Sequence, residues 1–223
     1  MAHFKEITSK PPSEGMTNAV IMGRKTWESI PPKFRPLPSR TNVILTKKAH
    51  YEAKVKSDCS DETLVASSLS NAIEQLSSRP NIGDIFVIGG GQVYEDAIKE
   101  GFVSRVYYTE VKNLPQETQD SMDAFFPELD QELWDKLPYD KNIEALHDDI
   151  AADESLWKTH EKSGLMYRFL DYQKKIKEGP HINPEEMQYL ELCRDIIENG
   201  VGDENAVHFE CTICTHAHIL YLF

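Results

Sequence analysis

The sequence predicts an α/β fold in which helices flank a mixed, mostly parallel central sheet. Over the first two thirds of the chain, short apolar runs rich in β-branched residues alternate with segments of helical spacing. This alternation favours a parallel sheet, because parallel strands need a crossover between them that is usually a helix. Two later segments alternate apolar and polar residues instead, which is typical of antiparallel strands. The 223 residues suffice for one sizeable core and an appendage.

The individual elements follow from the same patterns. Buried parallel strands are predicted at residues 18–22, 41–45, 64–66 and 85–88. Helices are predicted at 24–30 and 69–76, and residues 1–5 have the pattern of the inside of an amphipathic helix. Antiparallel strands are expected at the sheet edge at 105–111 and 166–173. Residues 112–162 are acidic and irregular, which favours surface loops.

Composition excludes several classes of partner. The formal net charge of −13 disfavours nonspecific binding to nucleic acid or to an anionic membrane, because both recruit clustered Lys and Arg. No apolar run reaches the roughly 18 residues that span a bilayer, and no secretory pattern opens the chain, so a cytoplasmic protein is expected. Four unevenly spaced cysteines do not indicate a disulfide framework.

Two strand-to-helix junctions carry candidate ligand chemistry. A helix that begins directly after a buried strand directs free N–H groups toward its ligand, and phosphate suits them. In the first junction, Gly23 permits close backbone approach, and charge and a hydroxyl follow at Arg24, Lys25 and Thr26. The second junction comprises Ile88, Gly89, Gly90, Gly91, Gln92, Val93 and Tyr94. Its spacing differs from the Rossmann fingerprint, and either junction alone is equally consistent with ordinary α/β architecture.

A proline-rich segment and a basic strand end add further candidates. Prolines at 31–38 stiffen the chain around Arg35 and Arg40, which suits bidentate grip on a carboxylate or phosphate. The alternative is a rigid surface connection with solvated arginines. Thr46, Lys47 and Lys48 follow the second predicted strand, where ligands tend to lie in open α/β sheets. With Arg24, Lys47 could meet a ribose 2′-phosphate, which favours NADP over NAD.

Five ordered segments resemble dihydrofolate reductase: VIMGRKTWESIP, RPLPSRTNVILT, IFVIGGGQVYE, YYTEV and FFP. The resemblance covers residues 1–174. It implies NADPH-dependent reduction of 7,8-dihydrofolate to tetrahydrofolate, a step of one-carbon metabolism, by hydride transfer to pterin C6 and protonation of N5. No metal is implied.

The resemblance also implies roles for individual residues. The cofactor set is Gly23, Arg24, Lys25, Thr26, Thr46, Lys47, Ile88, Gly89, Gly90, Gly91, Gln92, Val93 and Tyr94, with a cis peptide expected between Gly89 and Gly90. Folate-pocket walls are implied at Phe4, Ser29, Ile30, Leu37 and Ile88. Arg40 resembles the arginine that binds the α-carboxylate of the substrate's glutamate tail, and Thr109 the threonine that supports the catalytic acid.

The family's catalytic acid would immediately precede Met1, and its first strand and mobile loop would also precede Met1. In the family that strand lies between those matching residues 85–88 and 105–109. We therefore expect the position between these two strands, the slot, to be empty, and the chain to be unstable and catalytically weak or inactive. The alternative is a non-catalytic NADP- or folate-binding remnant.

The segment PEEMQYLELCRDIIENG, which follows the reductase-like part, resembles the fused reductase-synthase proteins. Residues 175–183 are predicted to be a linker, and 184–200 a helical appendage that resembles the start of thymidylate synthase. Residues 201–223 are unassigned and lack that family's phosphate loop and cysteine motif, so no synthase activity is expected, and a homodimer only with a complete synthase domain. Zinc binding by Cys211, Cys214, His216 and His218 is a weaker alternative to an unstructured end.

Overall fold

The computed structural model describes residues 2–48, 50, 51, 55, 63–122, 125–138, 154–161, 163–175 and 217–221. The chain divides into two units, residues 1–174 with 215–223, and residues 175–214. Every helix and strand described below belongs to the first unit. The predicted linker and synthase-like helix lie outside the described residues, apart from Lys175, and so do all four cysteines.

The strands of the first unit form one mixed sheet. They are β1 (Thr17–Gly23), β2 (Thr41–Leu45), β3 (Leu64–Ala66), β4 (Ile82–Val87), β5 (Val103–Lys112), β6 (Trp134–Pro138), β7 (Lys158–Thr159), β8 (Met166–Lys174) and β9 (Ala217–Tyr221). Their order is β3-β2-β1-β4-β9-β5-β8-β6, and β7 pairs with β8. Pairing is parallel from β3 through β5 and antiparallel beyond it. The predicted mixed, mostly parallel sheet is confirmed.

The described helices are α1 (Ala2–Ser9), α2 (Arg24–Ser29), α3 (Leu69–Ser77), α4 (Gly91–Lys99) and α5 (Gln116–Asp120). Short 3₁₀ turns lie at Pro32–Phe34 and Glu154–Leu156. In α3, the Ser68 side chain caps the first turn by accepting the Asn71 N–H. The buried side chains of α3 recur at helical spacing: Leu69, Ala72, Ile73 and Leu76. Among these helices, none combines the length and apolarity needed to cross a bilayer.

Two apolar clusters lie on opposite faces of the sheet. Ala19 and Ile21 of β1 belong to the cluster that includes the buried side chains of α3. Val20 and Met22 belong to the other cluster, which includes Trp27. Successive side chains of a strand point to opposite faces. Because both faces are covered, β1 is apolar at every central position, which is why its sequence is a continuous run.

Asn18 ties α1 to the sheet. Its buried Nδ2 donates to the carbonyls of Thr8 at 3.2 Å and Lys10 at 2.9 Å, and its Oδ1 accepts the Asp84 N–H at 2.9 Å. One side chain thereby joins the end of α1, the start of β1 and β4. The helix predicted at the start of the chain is confirmed as Ala2–Ser9.

The expectation of surface loops at 112–162 is wrong in part. β6 and β7 lie in this range and pair antiparallel with β8, so β6 rather than β8 is the sheet's edge. Trp134 of β6 is buried. β6 is thus a short strand within an acidic segment, and the buried side chain of Trp134 packs it against the core.

The position between β4 and β5 is taken by β9. Residues 217–219 lie opposite Ile85–Val87, and residues 217–221 pair in parallel with β5. The expectations of an empty slot and of an unstructured end at 217–221 are therefore wrong. The first expectation came from the family resemblance and the second from local patterns, and neither reveals pairing between segments about 130 residues apart in the numbering.

Candidate functional site

The two glycine-containing junctions meet at the carboxyl end of the sheet. β1 and β4 are parallel neighbours, so both strands end at the same edge. The Gly23 N–H donates to the Gly89 carbonyl at 2.7 Å, and the Ile88 N–H donates to the Ile21 carbonyl at 2.8 Å. Two turns about 65 residues apart in the sequence thus form one continuous backbone surface.

Glycine is required at position 89 for two reasons. Its φ is +104°, a conformation that side chains rarely adopt. A Cβ at this position would also lie 2.9 Å from Tyr94 Oη. The Gly89–Gly90 peptide is cis, as the sequence resemblance led us to expect.

Gly90 precedes α4, and the first turn of that helix opens beside Thr26. A Cβ on Gly90 would lie 3.5 Å from Thr26 Oγ1, which shows how closely the two junctions approach. The first N–H groups of a helix lack partners within the helix, and they carry its positive dipole end. Tyr94 lies behind this turn, buried and 5.4 Å from Phe126 between ring centroids. The turn is therefore packed against Tyr94 on one side and is open on the other.

A cavity of about 1000 Å³ opens over these turns. Such a volume is at the upper end of small-molecule sites. Its lining comes from both junctions, the end of β2 and residues 125–127: Gly23, Arg24, Lys25, Thr26, Leu45, Thr46, Lys47, Lys48, Gly90, Gly91, Gln92, Val93, Glu95, Phe125, Phe126 and Pro127. Ten of the predicted cofactor residues line it, whereas Ile88, Gly89 and Tyr94 do not.

The cavity wall is basic on the β2 side. Lys47 and Lys48 are exposed, and the Lys48 N–H donates to Thr46 Oγ1 at 3.2 Å. The Thr46 N–H donates to the Ala66 carbonyl at 2.9 Å, which fixes the start of this loop against β3. Arg24 pairs with Glu28 at 2.5 Å, so its charge is shared within α2. The lysines are consequently the cations most available to an anion here.

Sequence reasoning missed five of the lining residues: Leu45, Glu95, Phe125, Phe126 and Pro127. Lys48 was identified as part of the basic strand end, and it lines the cavity with Lys47. The FFP segment resembles a motif of the family, but the resemblance implied no role for it. Phe125 is 78% exposed, so its position at the cavity was not evident from a burial pattern.

Three of the residues predicted to form the folate pocket lie on the face of the sheet that carries Trp27 and Phe86. Ile30, Leu37 and Ile88 are partly buried and pack against the cluster that contains Trp27 and Phe86. They leave a partly exposed apolar surface beside the carboxyl end of β4. Such a surface suits a flat aromatic ligand.

Arg40 is buried, with 7% of its surface exposed. Its Nη1 donates to Thr8 Oγ1 at 2.6 Å and its Nε donates to the Pro38 carbonyl at 3.1 Å. The guanidinium carbon lies 5.7 Å from the centre of the Phe4 ring. Burial lowers the Arg40 pKa from its ordinary value. A guanidinium has five N–H donors, and these two bonds orient the group while using only two of them.

Asn42 holds the turn that carries Arg40. Its Nδ2 donates to the carbonyls of Leu37 at 2.9 Å and Arg40 at 2.8 Å, and its Oδ1 accepts the Leu37 N–H at 3.0 Å. The other arginine of the proline-rich segment, Arg35, donates to the Trp27 carbonyl at 3.2 Å and stacks over its ring. Ser29 Oγ donates to the Thr26 carbonyl at 2.7 Å. The arginines of the segment are thus held by hydrogen bonds within the protein, while residues 31–34, 38 and 39 are exposed.

Thr109 lies on β5 and is 8% exposed. It shares its strand face with Tyr107, two residues earlier, because side chains two apart in a strand point the same way. Tyr107 packs against the cluster of Trp27 and Phe86, so Thr109 belongs to the face of the predicted folate residues.

Comparison with known proteins agrees with this architecture. The family model described as dihydrofolate reductase matches residues 1–159. A dihydrofolate reductase of Candida albicans is 36% identical over 152 residues, which are 68% of this chain and 74% of that protein. A bifunctional dihydrofolate reductase-thymidylate synthase of Zea mays is 33% identical over 215 residues, 88% of this chain but only 40% of that protein.

A solved structure is also similar. Schistosoma mansoni dihydrofolate reductase superposes with a TM-score of 0.58 at 29% identity, covering 78% of this chain and 84% of the other. The sheet order, the joined glycine turns and the matched family model lead to one conclusion. The chain belongs to the dihydrofolate reductase family.

Proposed function

We propose that this chain binds NADPH in the cavity at the carboxyl end of the sheet and reduces 7,8-dihydrofolate to tetrahydrofolate. The observation that carries the proposal is the hydrogen bond from Gly23 to Gly89, which joins two helix-opening turns under a basic cavity. Membership of the dihydrofolate reductase family supports the reaction.

The cavity fits a dinucleotide cofactor. Close backbone approach at Gly23 and Gly90 leaves room for a pyrophosphate beside Thr26, and α4 contributes its first-turn N–H groups. Thr46 and Lys47, at the end of β2, are suited to a 2′-phosphate. When bound, NADPH supplies the hydride. The protein's contribution is to hold the cofactor with its nicotinamide toward the apolar face.

The apolar face fits the substrate. Ile30, Leu37 and Ile88 offer a surface for the pterin and its attached ring. We assign Phe4 and Ser29 to the same pocket from the family resemblance. Arg40 is oriented by Thr8 and Pro38, and we assign its remaining donors to the substrate's α-carboxylate. We assign Thr109 a positioning role toward the family's catalytic acid, whose matching position lies immediately before Met1.

The test of the cofactor assignment is a binding titration with NADPH and NADH. Lys47→Met removes one charged contact to the 2′-phosphate, and such contacts contribute about 1.5–3 kcal/mol, or roughly 10- to 100-fold in affinity. NADPH binding should weaken by this factor while NADH binding stays unchanged. Lys5→Met, at an exposed position of α1, is the matched control. Equal loss for both nucleotides in Lys47→Met would refute the assignment.

Turnover separates the enzyme from the alternative, a binding module that holds NADPH or folate without chemistry. The purified chain is given NADPH and dihydrofolate, and NADPH oxidation is followed by absorbance. Oxidation that depends on dihydrofolate supports the reductase. Tight NADPH binding without oxidation supports the binding module.

We further propose the domain layout 1–174, 175–183 and 184–200 as reductase, linker and start of a synthase-like part. The match to the maize bifunctional protein covers 88% of this chain, against 68% for the Candida enzyme, which supports an origin in a fused protein. The proposal does not extend to thymidylate synthesis. An assay for thymidylate formation, with a full-length bifunctional protein as positive control, should show no product.

A further inference from the structure

We propose that β9 is an in-chain latch: its pairing with both β4 and β5 holds these two strands in the alignment that the ligand sites need. The inference goes beyond the proposed function, because it concerns what keeps the sheet assembled with or without a ligand. It assigns a structural role to residues 217–221, for which the sequence suggested only the weaker alternative of zinc binding through His218.

The first support is the position of β9 inside the sheet. Residues 217–219 lie opposite Ile85–Val87 on one side, and residues 217–221 pair with Val103–Tyr108 on the other. Among the described pairings none joins β4 directly to β5; β9 lies between them. Removal of β9 would turn one sheet into two, with an open strand edge on each.

The second support is the burial of the strands on either side. Phe86 and Val87 of β4 are buried, as is Val106 of β5. Backbone N–H and C=O groups in such surroundings need partners, because water does not reach them easily. An exposed strand edge also invites pairing with other chains. A strand in this slot therefore satisfies groups that side chains of the core cannot.

The third support is the path of the chain. β8 runs antiparallel to β5, and β9 runs parallel to it. Arg105 lies opposite Gln173 on one side and opposite His218 on the other, so β8 ends and β9 begins at the same end of the sheet. Only β5 separates them, a distance of about 10 Å between strands.

The slot adjoins the strand ends that carry the proposed ligand sites. Val87 is opposite residue 219 and is followed by Ile88 and the Gly89–Gly90 turn, while Thr109 lies on β5 just beyond its pairing with β9. Movement of β4 relative to β5 would separate the glycine turn from Thr109. Pairing by β9 thus couples the C-terminal segment to both proposed sites.

The test uses the full chain and amide hydrogen exchange without ligand, so that its result does not depend on NADPH binding. Ile219→Pro removes a backbone donor in the middle of β9, where a central strand does not accept proline. Amides of residues 85–87 and 103–108 should exchange about tenfold faster or more. Phe223→Pro, two residues beyond β9, is the matched control and should exchange like the unchanged chain.

A second measurement guards against a variant that simply fails to fold. In the unchanged, isotope-labelled chain, backbone NOEs should connect residue 219 with both residue 87 and residue 106. Their presence, with selective loss of protection in Ile219→Pro, supports the latch. Absence of these NOEs in the assigned spectrum, or equal protection in Ile219→Pro and Phe223→Pro, would overturn it. A failure of NADPH to bind would affect the proposed function alone.

Discussion

His3 lies near the start of α1, in surroundings that change its protonation equilibrium. Its ring is half-buried and stacks on Phe169, with 3.7 Å between ring centroids. Burial lowers the pKa of His3, Glu6 opposes this effect, and Lys158 adds to it. The native state therefore favours the neutral imidazole. The unfolded chain has no such preference.

This difference predicts a pH dependence of stability. As the pH falls below about 6.5, the unfolded chain takes up a proton that native His3 resists, so the free energy of unfolding decreases down to the native pKa. His3→Phe keeps an aromatic ring beside Phe169 and removes the titration. Its unfolding midpoint should fall less between pH 7.5 and 5.5 than that of the unchanged chain.

The control for this prediction is His160→Gln, because His160 is exposed. That variant should keep the pH dependence of the unchanged chain. Identical pH profiles for His3→Phe and the unchanged protein would contradict the role of His3.

At the scale of elements, the junction of β4 and α4 depends on a backbone that only glycine permits. Gly89 combines a positive φ with contact to Tyr94, whereas Gly15 has a φ of +83° and open space, with nothing within 4 Å of where a Cβ would lie. The two glycines therefore separate backbone strain from steric clash. The comparison measures how firmly Tyr94 supports the turn.

We expect Gly15→Ala to cost about 1–2 kcal/mol of unfolding free energy, from backbone strain alone. Gly89→Ala should cost about 2–4 kcal/mol, because the methyl group also displaces Tyr94. Denaturant unfolding measures both. Gly89→Ala should in addition weaken NADPH binding, and Gly15→Ala should not. Equal losses of stability would show that Tyr94 moves away freely.

Sequence patterns predicted the elements whose signal is local. Continuous apolar runs identified β1 and β4 because each is buried on both faces. The glycine junctions were found because the turn chemistry is visible in the residues themselves. Elements fixed by distant partners were not found: β6 pairs with a strand about 35 residues later, and β9 with strands more than 100 residues earlier.

The candidate site shows the same division. Lys47 and Gly90 could be assigned to a cavity from their positions at strand ends, and both line it. Phe125 could not, because an exposed aromatic residue in an acidic segment has no periodic signal. Arg40 was identified, but its bond to Thr8, 32 residues away, was not. Its buried state depends on how α1 packs.

At the scale of the whole molecule, a strongly acidic chain presents a locally basic cavity. The formal net charge is −13, while Lys25, Lys47 and Lys48 gather with Arg24 around one opening. The overall charge repels an anionic nucleotide, and the local cations attract it. The balance depends on ionic strength, because salt shortens the reach of exposed charges from about 10 Å at 0.1 M to about 3 Å at 1 M.

We therefore expect salt to weaken NADPH binding more than NADH binding, since only NADPH carries the 2′-phosphate. Raising the salt from about 0.05 to 0.5 M should increase the NADPH dissociation constant several-fold, and Lys47→Met should reduce this dependence. Fluorescence titration at each salt concentration measures it. The same salt dependence for both nucleotides would contradict a 2′-phosphate site at Lys47.

The central position of β9 has a consequence for the timing of biosynthesis. Translation adds residues from the amino terminus, so β4 and β5 are made roughly 100 residues before the strand that lies between them. At about 5–20 residues per second, they wait on the order of 5–20 s for it. During that interval the edges of β4 and β5 that pair with β9 lack this partner. Chaperones that shield nascent chains would have their greatest effect on the yield of this protein in that interval.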